Sequence, residues 1–284
     1  MKQANGNAAA KGLQDDRVLP ATRWVAALIV APLLVAFLLL YLWPDNTAQL
    51  FAWTIKPRMT PLLMGAGYLG GAYFFVRVVG ARRWHHVAAG YLPVTTFATF
   101  EAVATLLHWD RFNHSHPAFY AWVGLYATTP FIVLVVWLRN RRTDPGTPDP
   151  GDVSLPGLAR WVMGAVAAVV LATGVLLFVL PNLMISQWPW LLTPLTAHVV
   201  GGWFALPGVA WIVIARDPRW GAARIALQSQ ALSLVLILLG AVRARADFDP
   251  VKWTTWAFVA GLGLMLILLM AVYAVQEVRR YLAR

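Results

Sequence analysis

The chain has 284 residues, of which 60% are hydrophobic and only 12% charged, with no cysteine. A soluble domain carries about twice that charged fraction, and apolar runs of roughly 20 residues recur along the chain, so a polytopic all-α membrane bundle is indicated and a barrel of short alternating strands is not. Without cysteine there are no disulfides, thiolate metal sites, iron–sulfur clusters or Cys nucleophiles.

The net charge is +11, from 23 Lys+Arg against 12 Asp+Glu. In a soluble protein such a balance points to nucleic acid, whereas in a membrane protein it asks which side holds the charge. Residues 1–22 are polar and read as a disordered cytoplasmic N-terminus. Charges and prolines then divide the chain into eight predicted transmembrane helices, over 24–43, 59–76, 87–108, 118–138, 158–180, 196–215, 225–242 and 253–276. The first apolar block is longer than a signal-peptide core and reads as an uncleaved anchor. The one long hydrophilic stretch, 139–157, is rich in Pro and Gly and reads as a cytoplasmic linker. It separates two four-helix membrane units, 23–138 and 158–284. With the N-terminus inside, 17 basic residues fall on the inner side and 6 on the outer, which places both termini in the cytoplasm of a bacterial plasma membrane.

Shifted by 137 residues, the chain meets itself. Arg23-Trp24-Val25 falls on Arg160-Trp161-Val162, Pro44 on Pro181, Trp53 on Trp190, Pro57 on Pro194, Gly65 on Gly202, Gly71 on Gly208 and Arg82 on Arg219. Matches of Trp, Pro and Arg in one register indicate a tandem 4+4 parallel repeat. An even number of spans per repeat sets the pseudo-twofold axis along the membrane normal, with sites expected between the halves. Each half carries an outer loop bounded by prolines, with Trp53 or Trp190 inside. These loops are expected either to form interfacial or re-entrant segments or to anchor tryptophans at the headgroups. Gly67 and Gly71 are expected to allow close helix contact. Pro32, Pro93, Pro130 and Pro207 are expected to kink their helices.

Glu101 is the only acidic residue inside a predicted span, and a carboxyl there should face protein or a water-filled cavity. His108 follows seven residues later on nearly the same helix face. The outer stretch 108–116 adds Asp110, His114 and His116, and His198 sits near the outer start of the sixth span. Imidazole and carboxylate together can ligate a transition metal. Glu101, His108, Asp110, Trp53 and Trp190 are therefore the candidate solute- or ion-binding residues. His108, His114, His116 and His198 are the candidate metal ligands. Paired helix histidines such as His108 and His198 could also hold haem. His85 and His86, among Arg82 and Arg83, read as headgroup contacts. Arg243, Arg245, Asp247, Asp249 and Lys252 suggest outer ion pairs near the axis. Gln228, Ser229, Gln230 and Ser233 either join helices or line a cavity. No phosphate-binding loop, zinc-protease or hydrolase motif occurs, and no catalytic residue is assigned.

The stretch FAWTIKPRMTPLLMGAGYLGG, followed by ATLLHWDRF, resembles an uncharacterised family of bacterial polytopic integral membrane proteins; the resemblance implies location and no activity. A four-plus-four bundle with helix histidines resembles haem A synthase in architecture, although the counterpart of His108 is Arg245 and the last span has no histidine. Three functions remain open from sequence. The first is a permease-like transporter of a small solute or ion. The second is a membrane-embedded metal or haem redox protein. The third is a non-catalytic subunit or assembly factor with a partner membrane protein. Anionic lipid headgroups on the inner face are expected partners, and nucleic acid is not.

Overall fold

The computed structural model describes residues 14–283, and among them the chain is helical, without a β-strand. Of the expected N-terminal segment, residues 1–13 lie outside the described residues. From Asp16 onward the chain is bound into the fold, and helix begins at Pro20. Ten α-helices follow: α1 Pro20–Phe37, α2 Thr47–Leu50, α3 Met59–Gly80, α4 Tyr91–Leu107, α5 Pro117–Asn140, α6 Gly157–Val179, α7 Pro181–Gln187, α8 Pro194–Arg216, α9 Trp220–Arg243 and α10 Trp253–Leu282. A π-helical turn, Leu38–Leu42, extends α1.

Seven helices are long and apolar enough to cross a membrane, which suggests a multi-pass membrane protein. Helix α4 falls outside that number. Its 17 residues reach only about 26 Å at about 1.5 Å each, less than a hydrocarbon core of about 30 Å. Three of the expected prolines lie inside helices, Pro32, Pro130 and Pro207. Pro93 does not. It occupies the first turn of α4, where its missing N–H leaves no helical bond unmade.

Helix pairing follows a regular scheme. Helix α1 packs on α3 and α6 on α8; α4 packs on α5 and α9 on α10. Two long crossings join the halves, α3 with α9 and α4 with α8. Small residues bring the partners close. A Cβ on Gly208 would stand 2.8 Å from the Leu171 backbone nitrogen, and one on Gly174 would stand 2.7 Å from the Gly201 carbonyl. Gly67 receives the Trp203 ring, where a Cβ would stand 2.1 Å from Cζ3.

Local details recur between the halves. Arg23 donates to the carbonyls of Val79 and Ala81, and Arg160 to those of Ala215 and Arg216. The Asn113 amide donates to the Ala52 carbonyl, and the Asp249 amide to that of Pro189. Trp53 lies against Phe51, Phe112 and Trp122 at 4.8–5.0 Å between centroids. Trp190 lies against Trp188, Phe248 and Phe258 at 5.1–5.4 Å.

The tryptophans of the proline-bounded loops are thus buried in aromatic nests and do not anchor at headgroups. Each nest caps its half at the end opposite the linker, called here the Pro–Trp end. Burying an indole beside other rings removes about 150–250 Å² from water, more than a headgroup contact offers.

Candidate functional site

Helix α4 meets α8 along a face that brings together three of the residues singled out from sequence, Glu101, His108 and His198. Glu101 is fully buried there. Gly202 on α8 makes its room, because a Cβ at that position would stand 2.6 Å from Glu101 Oε1. Both Glu101 carboxyl oxygens lack a hydrogen-bond partner among the described residues. Its backbone carbonyl does accept a bond from Thr105 Oγ1, which accepts in turn from Trp122 Nε1. A buried carboxyl with no partner is costly in an apolar setting.

Two helical turns nearer the Pro–Trp end, His108 and His198 meet, with Nε2 and Nδ1 3.0 Å apart. His198 Nδ1 also lies 2.7 Å from the Pro194 carbonyl. A carbonyl only accepts, so that Nδ1 carries the hydrogen, and His108 Nε2 is its second acceptor. The spacing explains the meeting. His108 lies seven residues from Glu101 on α4, and His198 lies four from Gly202 on α8, so each pair shares one helix face.

Toward the middle of the bundle, Trp203 follows Gly202 and separates two cavities. One, of about 140 Å³, is bounded by Gly67, Phe74, Trp203, Ser229, Gln230 and Ser233 among others. The other, about 50 Å³, lies beside Tyr68, Tyr126 and Thr129. Tyr68 and Tyr126 share a hydrogen bond of 2.7 Å, and the Trp203 indole N–H has no partner among the described residues. Trp203 and the tyrosine pair were not singled out from sequence. Polar atoms on aromatic residues read there as ordinary core.

The remaining sequence candidates go elsewhere. His114 Nε2 bonds the Trp109 carbonyl and His116 Nε2 the Gln49 carbonyl, so they do not gather with His108 and His198 into one metal centre. Asp110 is exposed and pairs only with Arg111. Trp53 and Trp190 belong to the aromatic nests and line neither cavity, although Trp190 packs on Phe258, which lines the larger one; Trp190 Nε1 donates to Thr60 Oγ1. The expected ion pairs of the last outer loop are also replaced. Arg243 donates to the Tyr41 carbonyl and Lys252 to that of Trp188, while Asp247 accepts from the Met59 amide. The Gln228–Ser233 patch does both things expected of it. Ser229 bonds the Gly70 carbonyl, and Ser229, Gln230 and Ser233 line the larger cavity.

At the linker end the headgroup reading of His85 and His86 is overturned. His85 is fully buried, between Asp16 and Asp149, and His86 bonds Asp149 at 2.8 Å. Burial and the neighbouring His85 push His86 below its ordinary value, against the pull of Asp149. Beside them the linker is clasped by Arg219, which pairs with Asp144 at 2.7 Å and with Asp217. Burial opposes the charged form of Asp144, but hydrogen bonds from Arg219 and the Gly146 amide hold its carboxyl below the usual range.

Comparison with protein-family models, with curated proteins and with solved structures finds no match to this chain. The functional reading therefore rests on the geometry alone.

Proposed function

We propose that the protein is a proton-coupled permease for a small solute, with Glu101 as the proton carrier. The observation that carries this reading is the buried Glu101 carboxyl with neither oxygen partnered, set at the crossing between halves. The His108–His198 pair lies between it and the Pro–Trp end and serves as the outer proton gate. The cavity behind Trp203 holds the solute. Its volume of about 140 Å³ is close to that of an engineered protein cavity of about 150 Å³ that takes up benzene. Its aromatic walls with Ser229, Gln230 and Ser233 suit a small, mainly apolar solute with one hydrogen-bonding group.

The reading includes eight spans in a 4+4 parallel repeat, with α4 and the preceding 3-10 turn Ala88–Gly90 as the short eighth. It is supported by the two equivalent crossings, the paired arginine clamps and the paired aromatic nests. The linker end and both termini are assigned to the cytoplasm of a bacterial plasma membrane, where the basic excess meets anionic headgroups.

The test uses proteoliposomes loaded with a pH-sensitive dye and screened against small solutes of that class. Solute addition should move protons in step with uptake for the native protein and not for Glu101→Gln. Equal proton movement in Glu101→Gln would end the carrier role.

A further inference from the structure

Outside the α4–α8 crossing, one cluster of titratable groups brings together three segments far apart in the chain. Asp16 comes from the segment before α1, His85 and His86 from the turn after α3, and Asp149 from the linker. His85 Nδ1 lies 2.5 Å from Asp16 Oδ2, and the His85 amide donates to Asp16 Oδ1. An ionised carboxylate only accepts, so Nδ1 carries the hydrogen and Nε2 is the ring nitrogen left to bind something else.

That Nε2 is fully buried and has no hydrogen-bond partner among the described residues. The nearest charged atom across from it is Asp149 Oδ1, at 3.6 Å. A ring nitrogen and a carboxylate oxygen so placed call for a positive centre between them, which a proton or a metal ion supplies. His86 Nε2 lies 2.8 Å from the other oxygen of Asp149. One ring nitrogen from each of His85 and His86 and an Asp149 oxygen all fall within 4.8 Å of one another. They are the only such group of three among the described residues.

We propose that His85, His86 and Asp149 bind a divalent transition-metal ion, with Asp16 orienting His85 as the second-sphere carboxylate. Bonds of about 2.0–2.1 Å in a tetrahedron set neighbouring ligand atoms about 3.3–3.5 Å apart. The 3.6 Å separation, to Oδ1, is close to that edge, and the 2.8 Å one, to Oδ2, opens as the carboxylate turns to offer one oxygen to the metal. The carboxylate–histidine–metal arrangement fixes the ring and its tautomer in the way such sites require. Two imidazoles and a carboxylate suit zinc or its neighbours rather than calcium or magnesium.

Charge and space agree with this. Of Asp16, Asp149 and Asp152, only Asp149 pairs with an arginine or lysine among the described residues, with Arg83. The excess of carboxylates over that cation is what a divalent ion would neutralise. Gly221 at the start of α9 leaves the space open. A Cβ there would stand 3.2 Å from His85 Nε2 and 3.1 Å from Asp152 Oδ2. Three protein ligands leave a fourth position for water or for the Asp152 carboxylate. Bound metal would staple the N-terminal segment and the linker to the end of α3.

The experiment uses the full chain in nanodiscs, carrying an affinity tag without histidine, stripped with chelator and titrated with Zn²⁺ by calorimetry. One equivalent should bind, and thermal unfolding should move upward. His86→Gln, at the partly exposed rim of the cluster, and Asp149→Asn should each weaken binding at least tenfold, and Asp16→Asn about 10–100-fold as second-sphere changes do. Gly221→Ala should also weaken it while keeping a good helix former at that position. A His108→Ala/His198→Ala double variant should bind as the native chain does. Absence of stoichiometric Zn²⁺ binding would overturn the proposal. So would native affinity in His86→Gln and Asp149→Asn, or loss of binding in the double variant.

Discussion

The two crossings that join the halves, α3 with α9 and α4 with α8, treat buried polar groups in opposite ways. At and around α3–α9 the polar groups are mostly answered. Tyr73 OH donates to Gln228 Oε1, Arg77 donates to both, and Gln228 Nε2 reaches Tyr273 OH. Ser229 bonds the Gly70 carbonyl, and Tyr41 OH bonds the Leu236 carbonyl. At α4–α8 the Glu101 oxygens and the Trp203 indole are left without partners among the described residues. The difference separates holding from handling. Satisfied networks fix one arrangement of helices, whereas an open carboxyl is what the proposed proton carriage requires.

The comparison can be broken at its extreme point first. Glu101→Leu places at 101 the residue found 137 positions later, Leu238, and should raise stability by about 2–4 kcal/mol, because an unpaired buried carboxyl is exchanged for packing. A lower unfolding temperature in nanodiscs would show that the carboxyl is structurally satisfied. Gly202→Ala should act in the other direction, by about 1–3 kcal/mol, since the new Cβ meets the Glu101 carboxyl. Adding it to Glu101→Leu should give a non-additive result in a double-mutant cycle, because the two groups touch.

Smaller effects sharpen the contrast. Trp190→Phe removes the bond to Thr60 and should cost about 1–2 kcal/mol, whereas Trp53→Phe should cost less, since the Trp53 indole N–H has no partner to lose. Equal losses in thermal unfolding would mean that ring packing alone sets both nests. Tyr41→Phe at the answered crossing should cost about 1 kcal/mol and leave proteoliposome proton movement unchanged.

Much of this was legible along the chain because it depends on local patterns. Apolar runs mark the helices, and the 137-residue register finds Arg23 with Arg160 and Trp53 with Trp190 before any contact is known. The seven-residue spacing of Glu101 and His108 likewise puts both on one face of α4. What the pattern missed are convergences between distant segments. Nothing near His85 signals that Asp16 and Asp149 will close on it, because loop paths carry no periodicity. The reverse error has the same source. His114 and His116 look like ligands beside His108, but the carbonyls of Trp109 and Gln49 claim them. Apolar composition sets the third predicted span at 87–108, whereas helix α4 begins only at Tyr91, after the 3-10 turn.

Trp203 has an optical consequence. Its indole is buried, its N–H is unpaired, and it stands in the wall between two unequal cavities. Such a chromophore should emit at the blue edge of the tryptophan range and shift when either cavity takes up a polar guest. The difference spectrum between the native chain and Trp203→Phe isolates that signal from the other fourteen tryptophans. The wall between the cavities is thereby also a built-in gauge of what enters them, readable without any added label.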